Sequence, residues 1–460
     1  MEFVTLAGGS ASVGEAAWTS FASGVRGGVL TAADDGYGAS RRVWNAMIDR
    51  HPTAIVRCAG TADVVASVRF AREHDLLVCV RGGGHNVAGK AVADGALMVD
   101  LSGMRSVHVD PTLSTVRVAG GCLWSDVDRE TQAFGLATTG GTVSHTGVGG
   151  LTLGGGLGWL GSLYGLSCDN LVSVDLVTHT GEYLHVSERE HPELFWALRG
   201  GGGNFGVATA FELSLHPVGP IVFGGPMLWP AARSREILSA YADLCRDLPD
   251  ELALFAALIP SPETMEPMVA IIVGWFGPVE RADAAVAPLR ALGPIADLAG
   301  PIPYVGLQSM LDDAVPHGLP RYWKSGYFNE LTDTTIAAIA DANDRKPTPI
   351  SLVLFFHQHG AATRVTADDT AFPHRAVSWD FDAIAQWFEP EQATGGIAWA
   401  RDVWDQLAPH SAGVYVNHLD ADDNSRIKQA YGPNYERLVG LKQKYDPDNF
   451  FRLNNNIAST

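Results

Sequence analysis

The chain has 460 residues, of which 46% are hydrophobic and 18% charged, so it is too apolar to be intrinsically disordered and long enough for two domains. Its 51 acidic and 32 basic residues give a formal net charge of −19, which argues against a surface that binds nucleic acid or an anionic membrane. Five widely spaced cysteines without a C-x-x-C pair predict a reduced, cytoplasmic protein. The N-terminus lacks the pattern of a secretory signal, and no apolar run is long enough to cross a membrane.

The first half of the chain predicts an α+β arrangement. A 3.6-residue spacing of apolar side chains predicts a helix that begins at Thr61, and further helices are predicted over 126–134 and 192–198. The glycine-rich stretch 138–158 predicts no regular element. Short apolar runs predict strands over residues 54–58, 76–80, 97–101, 115–118, 172–178, 183–186 and 211–215.

The run from His216 to Pro220 predicts a domain boundary, and a second domain follows it. Helices are predicted after Pro230 and around 280–292. Strands are predicted over residues 252–259, 268–276 and 350–357. From Val403 onwards the pattern predicts a helix, a strand over 413–417 and a final helix over 433–444.

Two glycine-rich loops are the strongest local indications of a binding site. The first, residues 81–86 with the sequence RGGGHN, follows a predicted strand, and its glycines let backbone N–H groups converge on an anion. A flexible turn with a solvated histidine is the alternative interpretation. The second loop, 147–158, and the run 201–206 each belong to a G-x-G-x-x-G match. Neither match is directly preceded by a strand, so a nicotinamide-binding βαβ unit is disfavoured.

Other catalytic motifs are missing from the sequence. It contains no G-x-S-x-G elbow, no phosphate-binding G-x-x-x-x-G-K-[ST] loop and no H-E-x-x-H motif. His357 and His359 would leave the same face of a strand, but without a third ligand they predict ordinary histidines rather than a metal site. The acidic run Asp420 to Asp423 predicts a solvated loop.

Taken together, the motifs resemble a known family. Six strings carry the resemblance: RGGGHNVAGKAVADGALMVDLSGM (81–104), GVGGLTLGGGLGWL (147–160), YGLSCDNL (164–171), ELFWALRGGGGNFGV (193–207), YVNHLDAD (415–422) and YDPDNFFRLNNNI (445–457). They are similar to the berberine-bridge-enzyme-like FAD-linked oxidases of the vanillyl-alcohol-oxidase superfamily. The likeness is strongest to the bacterial branch that contains 6-hydroxy-D-nicotine oxidase.

The resemblance implies an α+β fold with a two-part, PCMH-type FAD-binding domain over 40–217 and 405–460, after an N-terminal segment 1–39. A substrate domain over 218–404 would cover the flavin ring with an antiparallel sheet flanked by helices. His85 matches the histidine that bonds covalently to the flavin 8α-methyl group. The other residues that the resemblance assigns to FAD are Arg81, Gly82, Gly83, Gly84, Asn86, Gly149, Gly150, Gly154, Gly155, Gly156, Gly158, Asp169, Asn170, Gly206, Val207, Asn454 and Asn456.

The sequence departs from the family pattern at three positions. Val143 stands where bicovalent members have a second flavin-bound cysteine, so a single covalent bond through His85 is expected. Thr146 occupies the position that controls oxygen access in relatives, and its modest side chain is compatible with an oxidase. His418 replaces the tyrosine that many members carry after the asparagine of the Y-x-N string, here Asn417. Tyr415 and His418 therefore both remain candidates for the catalytic base.

These expectations define an FAD-dependent oxidase that removes a hydride from a small-molecule alcohol or amine and returns the electrons to O₂ as hydrogen peroxide. A flavin-dependent dehydrogenase with another acceptor and a flavin-binding protein without turnover are the two alternatives. We expect no metal; the expected partners are a small-molecule substrate and O₂, and neither nucleic acid nor a membrane is expected.

Overall fold

The computed structural model describes residues 1–261 and 264–458, and its mixture of helices and strands confirms the predicted α+β class. A small sheet lies nearest the N-terminus. In this sheet Ala54–Arg57 and Val78–Arg81 run parallel to the central strand Leu97–Asp100, and Val29–Leu30 pairs antiparallel at one edge. The central strand is apolar over three successive positions because both of its faces are buried.

A second sheet has five antiparallel strands. In spatial order they are Tyr183–Ser187, Leu171–Val177, Val207–Ser214, Thr115–Ala119 and Val107–Asp110. The helix Thr61–Glu73 contacts strands of both sheets, and its apolar residues Val64, Val68 and Ala71 are fully buried. The amphipathic pattern that predicted this helix therefore also joins the two sheets into one unit.

The third and largest sheet is antiparallel. In spatial order its strands are Ala296–Asp297, Ile221–Pro230, Pro267–Trp275, Leu252–Pro260, Leu352–Gln358, Ser378–Gln386 and Arg321–Phe328, and Gly300–Pro303 also pairs with the second of them. Side chains alternate between its faces. Leu254, Ala256 and Leu258 belong to the core formed with the helices Ser234–Leu244, Ala282–Ala291, Asp333–Asp344 and Ala393–Leu407, whereas Phe255 and Ala257 belong to the core of the opposite face.

Shorter elements connect the three sheets. The remaining helices are Glu15–Gly24, Tyr37–Ser40, Trp124–Gln132, Val148–Leu153, Gly161–Tyr164, Pro192–Leu198, Tyr304–Gln308, Ala361–Arg364, Ile427–Tyr431 and Tyr435–Tyr445. Two small antiparallel pairs are formed by Glu2–Val4 with Ser10–Ser12 and by Leu136–Ala137 with His216–Pro217. Across residues 1–261 and 264–458, no helix combines the length and the apolar content of a membrane span.

The structure corrects several predicted elements. The stretch 138–158 is not wholly irregular, because Val148–Leu153 is a short helix. The predicted strand 413–417 is wrong: only Gly413 bridges to a strand, and Val416–His418 forms a 3₁₀ turn. The helix predicted from Val403 begins ten residues earlier, at Ala393. The predictions also missed Arg321–Phe328 and Ser378–Gln386, because buried polar and charged residues interrupt the apolar pattern of both strands.

Candidate active site

A cavity of about 410 Å³ lies between the glycine-rich loops and one face of the large sheet. Backbone from 82–86, 147–150 and 202–206 forms much of one wall. Apolar side chains of the large sheet form the opposite wall: Phe255, Ala257, Ile259, Ile272, Leu354 and Phe356. A concave, mostly apolar cavity with a few convergent polar groups is typical of a site for a small molecule or a cofactor.

The two glycine loops meet backbone to backbone. A Cβ on Gly83 would lie 2.5 Å from the Cα of Gly147, and a Cβ on Gly147 would lie 2.5 Å from the backbone nitrogen of Gly83. A Cβ on Gly150, in contrast, would meet no atom within 4 Å. Glycine at 83 and 147 thus permits the loops to touch, whereas Gly150 leaves bare backbone beside open space in the cavity wall.

His85 lies in the cavity wall within a group of cationic and aromatic side chains. Its ring stacks on Trp44, with centroids 4.3 Å apart, and its Nε2 is 3.1 Å from Nδ1 of His145. The guanidinium of Arg321 lies 4.0 Å from the centroid of the same Trp44 ring. Burial, followed by the nearby His145, His317 and Arg321, lowers the pKa of His85 well below its ordinary value. The imidazole is therefore neutral, and a neutral imidazole can act as a nucleophile.

Tyr415 and His418 are brought together by the 3₁₀ turn Val416–His418. Residues three apart in such a turn lie on the same side, and their ring centroids are 4.8 Å apart. The Tyr415 hydroxyl oxygen accepts hydrogen bonds from the Gly156 backbone at 2.9 Å and from the Asn417 side chain at 2.8 Å. Burial nevertheless raises the pKa of Tyr415 above its ordinary value, so the phenol is neutral.

Asp380 and Asp382 lie on the cavity face of the large sheet and hold the ring of His418. The Nδ1 of His418 is 3.1 Å from Asp380 Oδ2 and 3.0 Å from Asp382 Oδ1. Burial opposes the charged ring, but the two carboxylates outweigh it and raise the pKa of His418 to about 10. Burial also raises the pKa of Asp380 to about 7, with His418 acting against the rise and Asp382 adding to it. We call these three residues the carboxylate–histidine cluster.

The structure brings most of the predicted site residues to the cavity. The predicted residues that border it are Gly82, Gly83, Gly84, His85, Asn86, Thr146, Gly149, Gly150, Gly206, Val207, Tyr415, Asn417, His418 and Asn454. They come from distant parts of the sequence, and five of the six strings contribute to the cavity, whereas the string 164–171 does not border it.

Other predicted residues lie behind this wall. Asp169 pairs with Arg375 through two contacts of 2.7 Å, and Asn170 bonds to the carbonyl oxygens of Tyr164 and Leu166. The Arg81 guanidinium donates to the Ser40 carbonyl oxygen. The remaining predicted residues outside the wall are Gly154, Gly155, Gly156, Gly158 and Asn456. The polar groups of Asp169 and Asn170 are thus used inside the protein, and Gly156 supports Tyr415.

The sequence analysis missed Asp380 and Asp382. Both belong to the strand Ser378–Gln386, where alternate residues Asp380, Asp382 and Ile384 border the cavity. The available signal was a pair of acidic residues two apart within the otherwise apolar string WDFDAIA, since that spacing places both on one face of a strand. Trp323, whose indole Nε1 donates to Asp382 Oδ1 at 2.6 Å, also borders the cavity.

The cavity fits a bound FAD. Backbone at Gly150 is open to it, His85 is neutral at its edge, and the wall opposite is apolar enough for a flavin ring. In the wall near the loops, Asn454 Oδ1 is buried without a hydrogen-bond partner among the described residues, so a polar group remains for a ligand. The glycine loops would hold the cofactor mainly through backbone amides, which suit its anionic phosphate groups.

Fold and cavity together define an FAD-binding oxidoreductase. Sequence comparison agrees, because the family of FAD binding domains matches residues 52–187 and the family described as berberine and berberine like matches residues 414–458. The chain belongs to the berberine-bridge-enzyme-like family of FAD-linked oxidoreductases.

Individual relatives cover nearly the whole chain. An FAD-linked oxidoreductase of Dictyostelium discoideum is 36% identical over 90% of both chains. (R)-6-hydroxynicotine oxidase of Paenarthrobacter nicotinovorans is 30% identical, covering 94% of this chain and 97% of its own. The crystal structure of 6-hydroxy-D-nicotine oxidase from Arthrobacter nicotinovorans superimposes with a TM-score of 0.86 at 30% identity, over 94% of this chain and 98% of that one. Berberine bridge enzyme, 21% identical with a TM-score of 0.87 over 98% of this chain and 100% of its own, shares the fold.

Proposed function

We propose that this protein is an FAD-dependent oxidase that oxidises a small-molecule alcohol or amine, with O₂ as electron acceptor and hydrogen peroxide as product. The observation that carries the proposal is the carboxylate–histidine cluster in the wall of an apolar cavity that also contains the loop of His85. When bound, FAD supplies a two-electron acceptor for the hydride of a substrate carbon. The protein must then orient the substrate, exclude water and accept a proton.

We assign the proton acceptor to Asp380 rather than to Tyr415 or His418, the two candidates from the sequence. His418, with a pKa raised to about 10 by its carboxylate neighbours, is already protonated at neutral pH. Tyr415 cannot ionise easily because burial raises its pKa. Asp380, with a pKa of about 7, can both take up and release a proton near neutral pH, which suits a general base. In this assignment His418 is the positive partner of the carboxylates, and Tyr415 and Asn417 are positioning residues.

We also propose that His85 alone bonds covalently to the flavin. Its low pKa keeps a lone pair available on the ring. The position of the second bond is occupied by Val143, which borders the cavity but offers no nucleophile. Cys168 is buried beside Arg375 and is not part of the cavity wall, so it does not replace the missing cysteine. The five cysteines are free and buried, which supports a cytoplasmic location for the enzyme.

The decisive experiment is a screen of small alcohols and amines against the FAD-loaded protein without oxygen. Loss of flavin absorbance with at least one compound, followed by its return with hydrogen peroxide when air is admitted, is the expected result. Reduced flavin that persists in air but is reoxidised by an artificial acceptor would indicate a dehydrogenase. Failure of every compound to bleach the flavin would favour a flavin-binding protein without turnover.

A further inference from the structure

The two carboxylates of the carboxylate–histidine cluster carry one more negative charge than the imidazolium of His418 neutralises. Two carboxylates face one ring, and Trp323 donates a further hydrogen bond to Asp382. The Oδ1 of Asp380 has no hydrogen-bond partner among the described residues, although Asp380 is only 1% exposed. A buried carboxylate oxygen without a donor is costly, so this position is prepared for a donor that the protein itself does not supply.

The surroundings of Asp380 narrow the chemistry of that donor. The other ionisable groups next to it are the phenols of Tyr327 and Tyr415, which burial keeps neutral. Lys90 also borders the cavity, but its Nζ donates to Asn424 Oδ1 at 3.2 Å. With both carboxylates and His418 ionised, the cluster has a net charge of −1, and the wall around it is apolar. A cation with N–H donors and an apolar body is complementary to such a wall.

We propose that the substrate is a hydrophobic amine, which binds as its ammonium ion with an N–H donated to Asp380. This inference rests on the proposed oxidase function and names its substrate class. The ammonium proton passes to the Asp380 carboxylate, and the neutral amine then loses a hydride from the adjacent carbon. The carbon–nitrogen bond becomes a double bond, which leaves an iminium ion that water hydrolyses to a carbonyl compound and an amine or ammonia. Bound FAD would supply the acceptor for this hydride, and the hydride together with the proton taken up by Asp380 would balance the reduction of O₂ to hydrogen peroxide.

Binding can be tested without turnover by two probes of nearly the same shape. Cumylamine and cumyl alcohol both lack a hydrogen on the carbon that bears the heteroatom, so neither can donate a hydride. Each is titrated into the FAD-loaded protein at pH 8, and binding is followed by the change in flavin absorbance. We expect the ammonium probe to bind at least about tenfold more tightly than the alcohol, since a charge-assisted hydrogen bond contributes roughly that factor. Its affinity should fall as the pH is lowered through about 7, where Asp380 takes up a proton.

Variants of Asp380 test whether its carboxylate is the group that binds the ammonium probe. Asp380→Asn should reduce the affinity for cumylamine by about tenfold or more and leave that for cumyl alcohol within about twofold, whereas Asp380→Glu should retain the preference for the cation. Asp128→Asn is the matched control, because Asp128 is also a buried carboxyl with a pKa raised to about 7 by burial, but it bonds to Gln308 outside the cavity wall. The flavin spectrum and melting temperature of each variant verify folding and loading.

Two results would overturn the inference: equal affinity of the wild-type protein for both probes, or equal losses for both probes in Asp380→Asn. If Asp380→Asn does not load FAD, the pH profile and the Asp380→Glu variant decide. Failure of the amine assignment is distinguishable from failure of the oxidase proposal. If alcohols bleach the flavin and cumylamine binds no more tightly than cumyl alcohol, the oxidase proposal is supported and the amine substrate class is contradicted. If cumylamine binds through Asp380 but no compound bleaches the flavin, the cation-binding site is supported and the oxidase proposal is contradicted.

Discussion

His85 borders a cavity and yet stays neutral, because burial lowers the pKa of its imidazole and three neighbouring side chains lower it further. The residues that lower its pKa, His145, His317 and Arg321, are far from it in sequence. The sequence could therefore single out His85 through the RGGGHN string, but not the burial and the neighbouring side chains that keep its imidazole neutral.

If His85 bonds to the flavin, the unmodified protein should stay yellow after acid denaturation and weigh one FAD more than the chain. The His85→Ala variant should release its flavin on denaturation, since only a covalent bond survives loss of the fold. Mass spectrometry of the denatured proteins checks both statements. His317→Ala is the control, because it removes a neighbouring imidazole and keeps the attachment residue. Complete release of flavin from the unmodified protein would contradict the covalent bond.

Thr146 borders the cavity next to Gly147, at the position to which the family resemblance assigns control of oxygen access. The larger side chain in Thr146→Leu should slow the reaction of reduced flavin with O₂ several-fold and leave anaerobic reduction by substrate nearly unchanged, because only the path of oxygen is narrowed. Stopped-flow measurement of the two half-reactions separates these effects. Thr146→Ser, which leaves the space open, should behave like the unmodified protein. Equal slowing of both half-reactions would show that Thr146 supports the site in general.

At the scale of single elements, the sequence predicted those that are apolar and regular. The helix Thr61–Glu73 and the strands Leu252–Pro260 and Pro267–Trp275 follow their apolar patterns closely. The strand Ser378–Gln386 was missed because Asp380 and Asp382 are polar residues buried for the site. The segment 413–417 was predicted as a strand because Val414, Tyr415 and Val416 form a short apolar run, and only tertiary contacts decide that it turns at Val416.

His357 and His359 form a stacked pair on and just beyond the strand Leu352–Gln358, with ring centroids 4.8 Å apart. The sequence predicted ordinary histidines here, and all four ring nitrogens are buried without a hydrogen-bond partner among the described residues. Burial, followed by the charge of His359, lowers the pKa of His357 from 6.5 to about 3. In the unfolded chain His357 binds a proton below about pH 6.5, whereas in the folded protein it stays neutral down to about pH 3. The free energy of unfolding therefore falls as the pH drops from about 6.5 towards 3.

The His357→Phe variant should remove this loss. Between pH 7 and pH 4, its free energy of unfolding should fall by about 3 kcal/mol less than that of the unmodified protein. Urea unfolding at the two pH values measures the difference. His51→Phe is the control, because the His51 side chain is 57% exposed and should leave the pH dependence unchanged. Identical pH dependence in His357→Phe and the unmodified protein would rule out the neutral buried form of His357.

At the scale of the whole molecule, the segment after the last helix packs against elements from far earlier in the chain, since Phe450 and Phe451 belong to the same core as Val56 and Leu97. One buried lysine ties the parts together. Lys442 Nζ donates to the carbonyl oxygens of Asn204 at 2.7 Å and Phe451 at 3.0 Å, and it pairs with Asp446 at 2.5 Å. Asp446 in turn accepts from the backbone of Phe450 and Phe451.

The Lys442→Met variant should lower the free energy of unfolding by about 3–5 kcal/mol, because it leaves the Asp446 carboxylate buried without its cation. Lys444→Met is the matched control two residues further along the same helix. Lys444 pairs with Glu193 at 3.2 Å, but both side chains are more than half exposed, so its loss should change stability little. Denaturant unfolding of the two variants measures both effects. Equal stability of the two variants would show that the buried pair does not hold the C-terminal segment.

The cavity wall is built from early, middle and late segments of the chain, so its parts are synthesised at different times. The glycine loops leave the ribosome early, and the strands of the large sheet, from Ile221 to Gln386, follow them. Asn454 and Asn455, which border the same cavity, are translated after all of these elements, at about 5–20 residues per second. A nascent chain therefore cannot complete the cavity wall before these residues have emerged. We expect flavin capture to follow their synthesis, and a chain truncated before them to lack a complete pocket.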